Sequence, residues 1–495
     1  MTLTCWQFTR AAARRALLSV LITAALVFPA LAAETSEWAP LFDGQSLLNW
    51  KAGENPDAFR VADGAIVACG PRGRMVYTGD KNTAADFTNF EFETEVMTKP
   101  GARAGLLFHT TPQNAAGPEQ LAVQITSSLP GLRALPQTGS LLGVRNIYKA
   151  LVPDDKWFKV RITVRAKHVQ VRVNDALLVD YVEPPMPGSS LHRRLSHGTF
   201  ALEGQEAPGQ TLFRGLRVKR LPDDATDPAQ PAPFDDVAAT LLRLTGERYP
   251  VVDFHTHLKG GLTLEETLDH MRRTGINHGV AVNGGIGFPI TSDEGIERFR
   301  QSMQGAPCFI ALQAEGREWP TLFSRQAIAK FDYVFTDAMT IPDHRGKRTR
   351  LWVKEEVEVP DKQAFMENLV GCIVKILDNE PVDIYVNPTF LPDVIAAEYD
   401  TLWTPERMDR VIAAAARNGV AIEINSRLKI PSAAFLKRAK AAGIKFTLGT
   451  NNTDRDLGRL EYSLQMIKEC GLTPGDMWMP KPDGQKPVQV RPVTK

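Results

Sequence analysis

The chain has 495 residues, room for roughly two to four domains with cores of their own. Its 43% hydrophobic and 23% charged content is that of ordinary globular protein. A formal charge of +1, without a long run of Lys or Arg, excludes a nucleic-acid groove.

Residues 1–33 read as an export signal. Arg10, Arg14 and Arg15 give a basic start, Ala16 to Phe28 an apolar core, and Ala30-Leu31-Ala32 a small-residue cleavage pattern. The apolar run is shorter than the ~20 residues of a spanning helix, so the expected location is periplasmic or secreted, with no stable membrane span after cleavage. Of five Cys, Cys5 leaves with this segment. Cys69, Cys308, Cys372 and Cys470 are far apart and lack C-x-x-C spacing, which predicts buried free thiols; an oxidising compartment permits one bridge.

Residues 38–221 read as β throughout. Phe158 to Arg165 alternates apolar and polar residues with period two, and Val169 to Val173 repeats the pattern before an Asn174-Asp175 turn into Leu177 to Tyr181. Phe90–Met97, Gly105–Phe108, Leu121–Ile125, Leu141–Arg145, Gly198–Glu203 and Leu212–Lys219 complete the candidate strands. Many short strands without a helical period predict an antiparallel sandwich. Residues 222–248 follow as a linker, because Pro222 to Pro233 holds four Pro and three Asp and little to bury.

From 249 to 480 the pattern becomes strand–helix alternation, with 481–495 as a tail. The strands are Val251–Phe254, Gly279–Asn283, Phe309–Glu315, Tyr333–Asp337, Ile384–Asn387, Ala421–Asn425 and Phe446–Thr450. Helices fit between them at Leu264–Thr274, Asp293–Met303, Leu322–Lys330, Lys362–Leu377, Pro405–Asn418, Ser432–Ala442 and Asp456–Cys470. Gly275, Gly419, Gly443 and Gly471 stand where helices end. Seven such repeats predict a parallel βα barrel.

Asp253-Phe254-His255-Thr256-His257 closes the first of these strands. Residues i and i+2 of a strand face the same way, so the two imidazoles can converge on one cation at the carboxyl end of the barrel. The other strands end on Asn283, Glu315, Asp337, Asn387, Glu423 and Asn451-Asn452. Polar residues recurring at seven strand ends predict a common polar pocket.

Residues 249 to about 476 resemble the polymerase-and-histidinol-phosphatase superfamily. The resemblance is carried by the His255/His257 motif, Thr263-Leu264-Glu265-Glu266, Glu423-Ile424-Asn425 and Gly443 to Thr450. It implies a distorted seven-stranded barrel using two or three metal ions for phosphoester hydrolysis, with His255, His257 and Glu315 as ligands. The chain departs from that pattern at Asn283-Gly284-Gly285, Asn387 and Asn451-Asn452, where the family carries His or Asp. Neutral amides do not offset the charge of a dication, so one divalent ion (Zn, Mn or Fe) replaces the expected cluster, and an empty sugar-sized pocket is the alternative. A metal-dependent amidohydrolase barrel also opens with His-x-His.

The first half resembles the 3-keto-disaccharide hydrolase domain, a concanavalin-like sandwich of secreted bacterial proteins. Leu41 to Trp50, Phe90 to Glu95, Val123-Gln124-Ile125, Thr138 to Leu141, Trp157 and Phe213 to Val218 carry the likeness. Ala122 stands where that family has Glu, with Glu119 nearby. The implied chemistry needs one general base and a group to hold an enolate. Glu95, Gln124 and His109 are the catalytic candidates; Glu119, Arg145, Tyr148 and Trp50 are the substrate-binding ones, since aromatic faces stack on sugars and Arg bonds hydroxyls. The expectation is an exported enzyme acting on 3-keto-glycosides or related modified sugars, without an organic cofactor and with a barrel of uncertain activity. A sugar-binding sandwich joined to a metal-dependent phosphoesterase, or a non-catalytic carbohydrate-binding protein, are the alternatives.

Overall fold

The computed structural model describes residues 37–53, 55–80, 84–111, 120–129, 135–185, 194–343 and 345–492. The expected export signal and Glu119 lie outside the described residues. Two antiparallel sheets make the first half. The larger runs in the order Ala176–Val182, His168–Val173, Phe158–Arg165, Phe90–Thr98, Ala207–Arg220, Ala65–Gly70, Phe59–Ala62, with Ala39–Pro40 also paired to Ala207–Arg220. The smaller runs Trp50–Ala52, Gly73–Tyr77, Thr199–Gly204, Arg103–Thr110, Leu121–Thr126. Phe158, Val160, Ile162 and Val164 are buried while their neighbours are not, as period-two alternation requires. Phe200 packs between the sheets against Phe90 edge-to-face and against Phe92 at a tilt, with ring centroids 4.9 and 4.7 Å away.

Leu141–Arg145, expected as a strand, is a turn. Gly143 takes φ 73°, its N–H donates to Asn146 Oδ1 at 2.9 Å, and Arg145 N–H returns to Leu141 O at 2.8 Å. The strands Phe59–Ala62 and Ala65–Gly70, joined through Asp63-Gly64 with both residues at positive φ, were not expected. The four cysteines among the described residues are free, Cys308 and Cys470 buried. Among the described residues no helix is long and apolar enough to cross a membrane.

The second half is a closed barrel of seven parallel strands: Val252–His257, Asn277–Gly284, Phe309–Ala314, Tyr333–Thr336, Ile384–Tyr385, Ala421–Asn425 and Phe446–Gly449. Asp253 opposite Leu448 closes the ring. The expected helix Leu322–Lys330 is split into Trp319–Leu322 and Arg325–Ile328, because Ser324 turns extended and its hydroxyl caps Ala327. The expected Asp456–Cys470 helix begins only at Glu461, after Gly458 at φ 75°.

The linker and tail are more ordered than their composition predicts. Asp236–Gly246 forms a helix, capped by Asp235 Oδ1 accepting from Ala238 N–H at 2.9 Å. Leu241 and Leu244 join the barrel's outer core while Leu242 joins the sandwich core, so one helix serves two domains. In the tail, Lys486 Nζ donates to Ala329 O and Phe331 O, each at 2.7 Å. His168 ties the linker down from the sandwich side: Nε2 meets Asp180 Oδ1 at 2.5 Å and Nδ1 meets Asp227 Oδ2 at 3.0 Å.

The hydrogen bond to Asp180, with help from Asp227, raises the pKa of His168 against the opposing effect of burial. A raised folded pKa gives stability that is full below the unfolded imidazole value and lost as pH rises through the folded one. The difference in Tm between the parent and His168→Gln is therefore expected to shrink from pH 6 to pH 9, as followed by thermal melting at each pH.

Candidate functional site

Asp253 shapes the barrel mouth from below. Fully buried, it accepts His255 N–H at 3.0 Å and Thr450 N–H at 3.1 Å on Oδ1, and Thr450 Oγ1–H at 2.5 Å on Oδ2. Burial raises its pKa. The strand register slips between Asp253 and Thr256, with His255 inside the slip and His257 just beyond it.

His255 Nδ1 lies 2.6 Å from Glu423 Oε1, both side chains 1% exposed. His257 Nδ1 lies 3.1 Å from Ala281 O. A carbonyl can only accept, so this nitrogen carries the proton and Nε2 of the neutral ring is bare. Burial first, and His255 second, push the His257 pKa well below its ordinary value. The ring centroids are 5.3 Å apart with planes at 64°. Among the described residues neither Nε2 has a hydrogen-bond partner, nor has Gln313 Oε1, and all three are buried.

The other strand ends interlock around these rings. Asn283 Nδ2 donates to Glu315 Oε1 at 2.7 Å, and Asn387 Nδ2 to Asp337 Oδ2 at 2.9 Å. Asn387 Oδ1 accepts from Asn425 at 2.9 Å and from Asn451 at 3.2 Å. Glu423 Oε2 takes the Asn387 backbone N–H at 2.7 Å and Asn425 Nδ2 at 3.1 Å. Asn452 brackets His257, accepting its N–H at 2.7 Å and donating to its carbonyl at 2.9 Å.

This donor set decides which metal arrangement fits. Among the described residues no three His, Cys, Asp or Glu side chains are placed to hold an ion together. Glu315, expected beside the two imidazoles, does not complete such a set and instead accepts from Asn283. Amide N–H groups likewise take up lone pairs of Asp337 and Glu423, where a metal cluster would need free carboxylates. The orphaned Nε2 atoms, with Gln313 oxygen beside them, fit one borderline ion at most. Gln313 and Asn425 were not among the sequence candidates; Gln313 lies inside its strand rather than at the end.

The sandwich candidates are scattered. Trp50 is buried, its Nε1–H donating to Leu41 O at 2.8 Å and its ring 5.4 Å from Tyr77, so no face is open to a sugar. Glu95, half-exposed, pairs with Arg214 at 2.7 Å on the larger sheet. His109 accepts Ser196 N–H on Nδ1 at 3.1 Å, which leaves its proton on Nε2, 3.0 Å from Thr88 O; burial pushes its pKa down to about 4. Gln124 is buried in the smaller sheet and donates to Ala104 O and Ile125 O. Arg145 and Tyr148 face the barrel instead of a ligand: Arg145 donates to Arg273 O, and Tyr148 Oη to Tyr249 O at 3.0 Å. Sequence reasoning missed Glu203, which lies on the smaller sheet in one cross-strand row with Gly105 and Gln124.

Residues 37–219 match the family described as the 3-keto-alpha-glucoside-1,2-lyase-like domain. A candidate glycosyl hydrolase from Parabacteroides distasonis ATCC 8503 is similar in structure, at 18% identity and TM-score 0.31, covering 37% of this chain and 94% of its own. The carbohydrate-binding module CBM66 from Bacillus subtilis is similar at 12% identity and TM-score 0.25, covering 34% and 95%. Histidinol phosphate phosphatase from Lactococcus lactis, solved with Zn, L-histidinol and phosphate, is similar at 15% identity and TM-score 0.35, covering 46% and 98%. No curated protein matches the chain by sequence. The first half thus carries a carbohydrate-related domain, and the second a seven-stranded barrel.

Burial, then the charge of Asp337, pushes the Glu315 pKa up to about 7. A carboxyl with a raised folded pKa loses stability as pH rises through that value. Glu315→Gln is therefore expected to raise Tm relative to the parent at pH 8 and to have little effect at pH 5, in chelator-treated protein.

Proposed function

We propose that this chain is an exported carbohydrate-processing enzyme whose sandwich domain cleaves 3-keto-glycosides. The observation that carries the reading is the match of residues 37–219 to the 3-keto-alpha-glucoside-1,2-lyase-like domain. A ketone at C3 acidifies the hydrogen at C2, and a carboxylate can take that proton. The resulting enolate expels the aglycone from C1, leaving an enone. Water adding at C1, with the proton returned to C2, gives the free 3-keto sugar. The test is aglycone release from nitrophenyl 3-keto-glucosides by the purified chain. Release is expected from the 3-keto substrates and not from the parent glucosides; a chain inert toward every 3-keto-glucoside sinks the reading.

At the barrel mouth, His255 and His257 would hold one divalent ion through the Nε2 atoms that have no other partner. When bound, such an ion supplies Lewis acidity. Glu423 orients His255 from behind, and Ala281 O fixes the tautomer of His257. Elemental analysis after Zn loading and dialysis is expected to find up to one equivalent, abolished in His257→Ala. Glu423→Gln should weaken retention roughly 10–100-fold. These same two nitrogens support the second reading, a sugar-binding sandwich attached to a metal-dependent phosphoesterase, which requires phosphoester hydrolysis that follows metal content.

A further inference from the structure

The outer face of the smaller sheet carries a polar patch that no sequence motif marks. Cross-strand partners point to the same side, so Arg74, Glu203, Gly105 and Gln124 form one row across four strands. Arg103, two residues before Gly105 on the same strand and opposite Thr126, stands on that face one step along. Gln205 N–H bonds Arg103 O at 3.1 Å, and Gln205 Nε2 reaches Gln124 Oε1 at 3.4 Å. On the other side of the row lie Val76, Ala201, Leu107 and Ala122, an apolar strip beside a charged one.

Two features of this patch suit a ligand. Arg72 and Arg74 both hold Glu203 through Oε1, at 2.7 and 3.6 Å. Among the described residues its Oε2 receives no hydrogen bond, and it lies 3.6 Å from where a Cβ on Gly105 would stand, so the glycine leaves a notch beside a carboxylate oxygen. Arg103 has a buried Nε without a partner and makes no ion pair among the described residues. Burial lowers its pKa, and the charge of Arg248 adds to the effect. A half-buried guanidinium that makes no ion pair among the described residues is complemented by an anion.

We infer that Glu203 is the base and Arg103 the oxyanion holder for the 3-keto-glycoside reaction. The inference rests on the proposed function and assigns residues to it. Glu203 Oε2 takes the proton from C2. The electron pair passes into the C2–C3 bond, the C3 oxygen becomes the enolate beside Arg103, and collapse of the enolate expels the aglycone from C1. Glu203 faces Gly105, so Arg103 is its diagonal neighbour on the next strand, about 7–8 Å away, a distance a pyranose ring can bridge between two long side chains.

The experiment measures C2–H exchange into D2O by NMR alongside aglycone release, using a nitrophenyl 3-keto-glucoside and the full chain. Glu203→Gln is expected to lower both rates roughly 10²–10⁴-fold, the usual contribution of a positioned base. Arg103→Met, which breaks no side-chain hydrogen bond or ion pair among the described residues, should lower kcat for both readouts with Tm unchanged, and it keeps the test valid if Glu203→Gln fails to fold. An active parent whose Arg103→Met variant, or folded Glu203→Gln variant, works within threefold of it overturns this assignment alone. A parent that releases no aglycone overturns the enzymatic reading, and the assignment falls with it.

Discussion

The barrel depends on a carboxylate that water does not reach. Asp253 spends both oxygens on the backbone and on Thr450, tying the first strand to the end of the seventh. A buried acid is tolerable only when its lone pairs are used, and here their use closes a ring. The register slip next to it turns a continuous strand into a platform for His255 and His257. Glu423 is held in the same way, by a ring nitrogen, a backbone N–H and an amide. Closure of the fold and orientation of the site are therefore one network.

Beneath that network the barrel is filled with apolar side chains, and part of the filling comes from outside it. Phe254, Phe309, Tyr333 and Trp478 pack ring against ring, and Tyr148 of the sandwich belongs to the same cluster. Tyr148 Oη, Arg145 and Lys149 bond the barrel's backbone or Asp332. Residues that recommend themselves for sugar stacking thus serve to join two domains.

Much of the architecture was legible. Period-two alternation exposed the strands around Phe158 to Tyr181, and βα repetition exposed all seven barrel strands, because burial on one face or on both leaves a pattern in the residue order. Polar residues at strand ends exposed the hydrogen-bonded network around the two imidazoles for the same reason: an apolar run stops where polar groups converge. What stayed hidden depends on pairing between distant segments. Glu203 becomes a neighbour of Gly105 and Arg74 only through strand order, and Gln313 reads as one more residue of a strand. Trp50 and Tyr148 were misleading because an aromatic ring looks alike to a sugar and to a core. The Asp236–Gly246 helix was lost under the proline-rich stretch before it.

That helix also changes what counts as a domain boundary. Its leucines are divided between two interiors, so a cut on either side leaves one half with an open seam and the other with a greasy flap. Shuffling either half into a new fusion would need the shared segment copied into both pieces, or its apolar side chains redesigned. The modules are separable in the alphabet of families but welded in three dimensions.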